Sequence, residues 1–142
     1  MSYEKYKTLK FSRPSPGVLE IAMGEEGRLA TAGHEGHREL AEIWRDVDAD
    51  PETRVAILRG LGKGFSGGGD LGMIVDMTQD FDARARVWRE ARDVVYNLIN
   101  CSKMVVSAMH GPAVGAGLVC GLLADVSIAA KSARIIDGHT RL

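Results

Sequence analysis

Cysteine is scarce: Cys101 and Cys120 are the only two in 142 residues, both in apolar contexts and without CxxC spacing. That argues against a structural disulfide and for buried free thiols, the common state in reducing compartments. Positive charge is not in excess either. Eighteen Lys and Arg against nineteen Asp and Glu give a formal charge of −1, so no basic field exists to hold a polyphosphate backbone, and nucleic acid is excluded as a partner. No long apolar run is present. The longest, Ala113 to Ala124, is interrupted by Gly115, Gly117 and Gly121 and falls well short of the ~20 residues that span a bilayer. The first twenty residues carry Glu4, Lys5, Lys7 and Lys10 and no apolar signal region, so a cytoplasmic location is expected. What remains, 45% hydrophobic and 26% charged residues, is the composition of one globular domain, or part of one, over residues 1–142.

Two features are unevenly distributed. Of 17 glycines, seven fall in residues 60–72 and four in 111–121, and glycine is placed where a backbone must turn sharply or approach something closely. Charge is uneven too: residues 101–142 hold only Lys103, Asp125, Lys131, Arg134, Asp137 and Arg141. This C-terminal third reads as the interior of a larger fold.

The periodicities predict an α/β chain. Leu9 to Ser12 and Val18 to Met23 read as a hairpin around the turn Arg13-Pro-Ser-Pro-Gly17. Residues 35–48 repeat His37, Leu40, Ala41, Trp44 and Val47 at helical spacing, ending before Pro51. Val55-Ala-Ile-Leu58 and Lys103 to Met109 suit buried parallel strands. Between them Phe81 to Asn100 carries Val87, Ala91, Val94, Val95 and Leu98 on one helical face, with Arg84, Arg86, Arg89, Glu90 and Arg92 on a solvated opposite face. The second glycine window opens a helix through about Ala124, followed by short strands at 126–130 and 133–136. This alternation implies mainly parallel pairing.

Both glycine loops follow buried strands, where α/β folds put ligands. The first, Gly60-Leu-Gly-Lys-Gly-Phe-Ser-Gly-Gly-Gly-Asp-Leu71, has neither a Walker string nor a full dinucleotide fingerprint, since position 65 is Phe. Consecutive residues without Cβ instead let a substrate lie against bare backbone, with an N–H aimed at developing negative charge. The second, His110-Gly-Pro-Ala-Val-Gly-Ala-Gly117, leads into a helix start, whose free N–H groups favour anions. One donor from each loop would form an oxyanion hole, although either loop alone fits an ordinary surface turn or a close packing face.

Together these loops resemble the crotonase superfamily, the enoyl-CoA hydratase/isomerase group. Phe65-Ser-Gly-Gly-Gly-Asp-Leu71 matches its F-[SA]-x-G-x-D-[LI] string, and Ser107 to Gly117 matches its A-x-x-G-x-A-x-G-G-G stretch except that the middle glycine of the three is Ala116, which keeps the N–H. Asp125-Val-Ser-Ile-Ala-Ala-Lys-Ser-Ala133 resembles its D-x-x-x-A-x-x-x-A strand. The resemblance implies an α/β ββα spiral, of which this chain supplies about the first half, cut short before the C-terminal helices. It also implies an acyl-CoA thioester as substrate, with coenzyme A as part of that substrate, no metal and no separate cofactor, and assembly as a trimer or hexamer. By residue, the family's oxyanion-hole N–H groups map to Gly69 and Ala116, and Gly67, Gly68, Asp70, Leu71 and Gly115 would line the substrate groove.

The departures from the pattern bear on the reaction. The two hydratase glutamates are not matched: the first maps to Val119, which has no proton to move, and the second to the neighbourhood of His139, where Asp137 is also ionisable. A lone Asp137, with His139 or His37 as partner, is the expected proton carrier, because histidine titrates near neutral pH. Some relatives lacking both glutamates cleave carbon–carbon bonds of diketones with His and Asp, so that reaction, or an inactive binding member, stands as the alternative. His34 and His110 are expected to be structural.

Overall fold

The computed structural model describes residues 2–138. Strands β1 (Leu9–Ser15) and β2 (Gly17–Met23) form the expected hairpin, but the turn is tighter than the Pro-rich sequence suggests: β1 runs on through Arg13 and Pro14 with an irregularity between Ser12 and Ser15. An irregular edge strand is where a missing N–H does least harm. Helix α1 (His34–Ala49) leads to β3 (Thr53–Gly60), then come β4 (Ser66–Gly67), α2 (Leu71–Gln79), α3 (Phe81–Ile99), β5 (Met104–Met109), β6 (Pro112–Val114), α4 (Gly115–Leu123), β7 (Val126–Ala129) and β8 (Arg134–Ile136).

Two sheets result. The larger has the order β1-β2-β3-β5-β7, with only the β1–β2 pair antiparallel; the smaller, β4-β6-β8, is wholly parallel. Strands β4 and β6 lie in stretches that read as loop, because runs of two or three residues are too short to show a period, and α2 falls in a stretch for which no element is expected, whereas β7 and β8 coincide with the two short strands expected at 126–130 and 133–136.

Helix α1 seals the larger sheet with the face its spacing foretold: Leu40, Ala41, Trp44 and Val47 are buried, joined by Ile43. They meet Leu19, Ile21, Ala56 and Leu58 from β2 and β3, Val94 and Leu98 from α3, and Phe65. The charge-poor C-terminal third divides. β5 and α4 enter the core, whereas every residue of β7 is exposed among the described residues: Val126 and Ile128 face solvent, as does Ile135 on β8. Cys120 is buried, with burial pushing its thiol up to about 12, whereas Cys101 is half-buried.

The N-terminal segment is tied down by buried carboxylates of α1 and its C-terminus. Glu39 accepts from the Lys7 N–H at 2.6 Å and the Thr8 N–H at 2.9 Å. Asp50, fully buried, accepts from Tyr3 Oη at 2.8 Å and Thr53 Oγ1 at 2.7 Å and pairs with Arg13 at 2.5 Å. Burial alone would push its carboxyl up, but the hydrogen bonds from Thr53, Tyr3 and the Glu52 N–H, with Arg13, hold it well below the usual carboxylate range. Its folded-state value is depressed, so the associated stability is fully present above the unfolded value near ~3.9 and is lost as pH falls through the folded one. Asp50→Asn should therefore cost about 2–3 kcal/mol in urea unfolding at pH 7, and the gap between variant and parent should close as the pH is lowered below ~4.

Candidate functional site

The small parallel sheet fixes the two glycine loops relative to each other. Its register aligns Ser66 with Ala113, Gly67 with Val114 and Val114 with Ile136. The residues that leave its C-terminal edge together are thus Gly68, Gly115 and Asp137. This is the edge at which parallel sheets present ligand sites.

Gly68 (φ +87°) and Gly115 (φ +64°) adopt left-handed backbone that disfavours side chains, and they meet almost backbone to backbone. A methyl group on Gly115 would sit 2.8 Å from Gly68 Cα and 3.6 Å from the Gly69 nitrogen. The orientation of Gly69 follows from its neighbours. Ala32 N–H donates to the Gly68 carbonyl at 2.8 Å and Asp70 N–H donates to the Ala32 carbonyl at 3.0 Å, a single parallel bridge centred on Gly69. Backbone groups alternate in direction along extended chain, so the N–H of Gly69 itself faces away from Ala32. Ala116 is the second residue of α4. The first N–H groups of a helix have no intrahelical acceptor and carry the positive end of its dipole, and the N-cap residue Val114 supplies no side-chain cap.

Gly69, Gly115 and Ala116 line one cavity of about 470 Å3 together with His37. Its other walls come from α2 and α3 and are chiefly apolar: Met73, Ile74, Met77, Val87, Trp88 and Ala91, with Thr78 and Arg84 at the polar side. His37 is buried on α1, and its Nδ1 lies 2.8 Å from Glu90 Oε2 of α3, both side chains being almost fully enclosed. Sequence reasoning assigned Glu90 to the solvated face of α3. Arg84, Arg86, Arg89 and Arg92 are indeed exposed, but Glu90 turns inward. The signal was available: Glu90 is three residues after Val87 and four before Val94, on the same buried stripe.

The other expected residues fall into separate places. Gly67 and Gly68 form the backbone floor behind Gly69, with Gly67 N–H bonded to the Ala30 carbonyl at 2.6 Å. Asp70 is the N-cap of α2 and accepts from the Met73 N–H at 2.8 Å, so its carboxylate already has a local task. Leu71 is 79% exposed. Asp137 stands exposed at the end of β8 beside the second loop, and is not among the residues lining the cavity. His139 lies outside the described residues. Val119 is half-buried and packs against the core. His110 bonds the Gly62 carbonyl at 2.9 Å, and His34 pairs with Asp76 at 2.9 Å. No group of three or more His, Cys, Asp or Glu among the described residues could hold a metal ion, and no described helix is long and apolar enough to cross a membrane.

A sequence profile of the enoyl-CoA hydratase/isomerase family matches residues 14–142. The chain is 34% identical over 133 residues to the 1,2-epoxyphenylacetyl-CoA isomerase of Escherichia coli, covering 92% of this chain and 51% of that protein. It is 30% identical over 129 residues to the mevalonyl-coenzyme A hydratase of Beauveria bassiana, covering 87% and 46%. Among solved structures, an enoyl-CoA hydratase/isomerase from Mycobacterium paratuberculosis superposes with a TM-score of 0.88 at 31% identity, covering 94% of this chain and 53% of that one. The chain thus spans about half the length of the relatives it matches.

The meeting of the two loops is directly testable. Gly27 (φ +75°) has nothing within 4 Å of a Cβ position, so Gly27→Ala should cost only the backbone term, ~1–2 kcal/mol. Gly115→Ala adds a clash with Gly68 and should cost more in the same urea titration; equal costs would show that the loops can separate freely.

Proposed function

The chain belongs to the enoyl-CoA hydratase/isomerase family, and from that premise we propose that it binds an acyl-CoA thioester and stabilises the enolate form of the acyl group. The observation that carries this reading is that Gly69 and Ala116 line the same chiefly apolar cavity. A thioester carbonyl held by the two N–H groups gains negative charge as a proton leaves the neighbouring carbon. Donors already fixed by a sheet and a helix start need no reorganisation, and each such donor typically contributes ~2.7–4 kcal/mol to a transition state of this kind. Exclusion of water by the bound acyl group against these apolar walls would strengthen the effect.

The acyl tail has a chemically suitable partner in Met73, Ile74, Met77 and Trp88. Unbranched methionines adapt to different tail shapes without strain. The E. coli and B. bassiana relatives act, by name, on 1,2-epoxyphenylacetyl-CoA and mevalonyl-CoA, both coenzyme A thioesters, which supports the same substrate class here. Val119 stands where a hydratase would have its first glutamate, so proton movement falls to other groups. Asp137, at the sheet edge beside Gly115, is one of them, and proton shift within the acyl chain fits this set better than addition of water by a glutamate pair.

Isothermal calorimetry with acetoacetyl-CoA, a stable mimic of the enolate, should give saturable heat, and free coenzyme A should bind more weakly; no heat above the buffer blank refutes the reading. Asp137→Asn should lower turnover of crotonyl-CoA by about 10²–10⁴-fold while leaving acetoacetyl-CoA affinity in place. Unchanged turnover removes Asp137 from the reaction.

A further inference from the structure

We propose that His37 is a proton-transfer group of this site and that Glu90, on the facing helix, is the positioning residue that selects its tautomer. The proposal rests on the acyl-CoA reading above and deepens it by naming a base that the family's glutamate positions do not supply.

Three observations carry it. His37 and Glu90 form a 2.8 Å hydrogen bond between α1 and α3 with both side chains enclosed. An ionised carboxylate can only accept, so the proton of that bond belongs to Nδ1, and in the neutral ring Nε2 is then the free base. Nε2 makes no hydrogen bond among the described residues, yet the one buried side-chain polar atom without a partner among them is Trp44 Nε1. We take Nε2 to open into the cavity that His37 lines, whose walls, among the described residues, carry no carboxylate and one further charged side chain, Arg84. The same cavity presents the backbones of Gly69 and Ala116. Base and oxyanion donors thus address one volume from three separate elements, each fixed by core packing, which is the arrangement a pre-organised proton abstraction requires.

The step balances without a co-reactant. Nε2 takes a proton from the carbon next to the thioester carbonyl. The electron pair of that C–H bond becomes the carbon–carbon double bond of the enolate, and the carbonyl pair moves onto oxygen, facing the two N–H groups. The imidazolium that forms is balanced by Glu90, and the proton returns to the same carbon or to a more distant carbon of the acyl chain. A buried His–Glu pair that merely tethers α1 to α3 would stabilise the fold without touching this exchange.

The test is proton exchange at the α-carbon of butyryl-CoA in D2O, followed by ¹H NMR on the whole native protein, beside calorimetry with acetoacetyl-CoA. The parent should exchange. His37→Ala should lose about 100-fold or more of that rate while acetoacetyl-CoA affinity stays within about threefold, a split that separates reaction from binding. Glu90→Gln, whose amide can donate to Nδ1 and drive the proton to Nε2, should slow exchange about tenfold or more. Should either variant fail to fold, ¹⁵N shifts of His37 in the parent decide the matter: the Nδ1–H tautomer supports the proposal and the Nε2–H tautomer overturns it. A parent that does not bind acetoacetyl-CoA refutes the thioester reading and this proposal with it. A parent that binds and exchanges, with His37→Ala exchanging at the same rate, overturns this proposal alone.

Discussion

The structure depends on one close approach, that of the Gly68 and Gly115 backbones at the end of the small parallel sheet. Three strands of two or three residues contribute little on their own. What locks them is the absence of Cβ atoms where they meet: a methyl on Gly117 would lie 2.5 Å from Ser66, just as one on Gly115 would strike Gly68. Ser66 Oγ then donates to the Val114 carbonyl at 2.8 Å and accepts from the Gly68 N–H at 3.3 Å, so the hydroxyl joins the two loops. Remove the approach and both the sheet edge and the N-terminus of α4 lose their common reference point.

The cavity inherits its rigidity from the same elements that build the core. Helix α1 carries Leu40, Trp44 and Val47 into the apolar interior and His37 onto the cavity wall one turn earlier. Helix α3 does the same with Val94 and Leu98 on one side and Val87, Trp88 and Ala91 on the other. A polar pair such as His37 and Glu90 can be kept enclosed between them because each satisfies the other's hydrogen bond. The mobile-tailed methionines of α2 complete the wall, so firm polar groups face a deformable apolar side.

Much of this was legible in the sequence, and the reasons differ by element. Helix α1 and strand β3 announce themselves through period and through an uninterrupted apolar run. The glycine clusters mark where backbones meet, and the family resemblance carried by Phe65 to Leu71 and Ser107 to Gly117 identifies the fold that the family profile and solved relatives share. Strands β4 and β6 were not legible, because a two- or three-residue strand exists only through its partners. Asp70, expected in the groove, also caps α2, a local role that a motif string does not reveal. Glu90 was hidden by its arginine neighbours: charge on a helix reads as solvated until a partner across the interface, here His37, makes burial affordable. The oxyanion geometry could be guessed from residue types but not oriented, since the direction of the Gly69 N–H is set by a single bridge to Ala32, a pairing between distant residues that composition and spacing do not reveal.

Strand β7 ends the larger sheet and β8 ends the smaller one, each with apolar side chains turned to water. A terminal strand with unpaired amides and carbonyls is a template for whatever extended chain next arrives. Among the described residues, Val126, Ile128 and Ile135 are therefore the apolar side chains that such a neighbouring strand would cover.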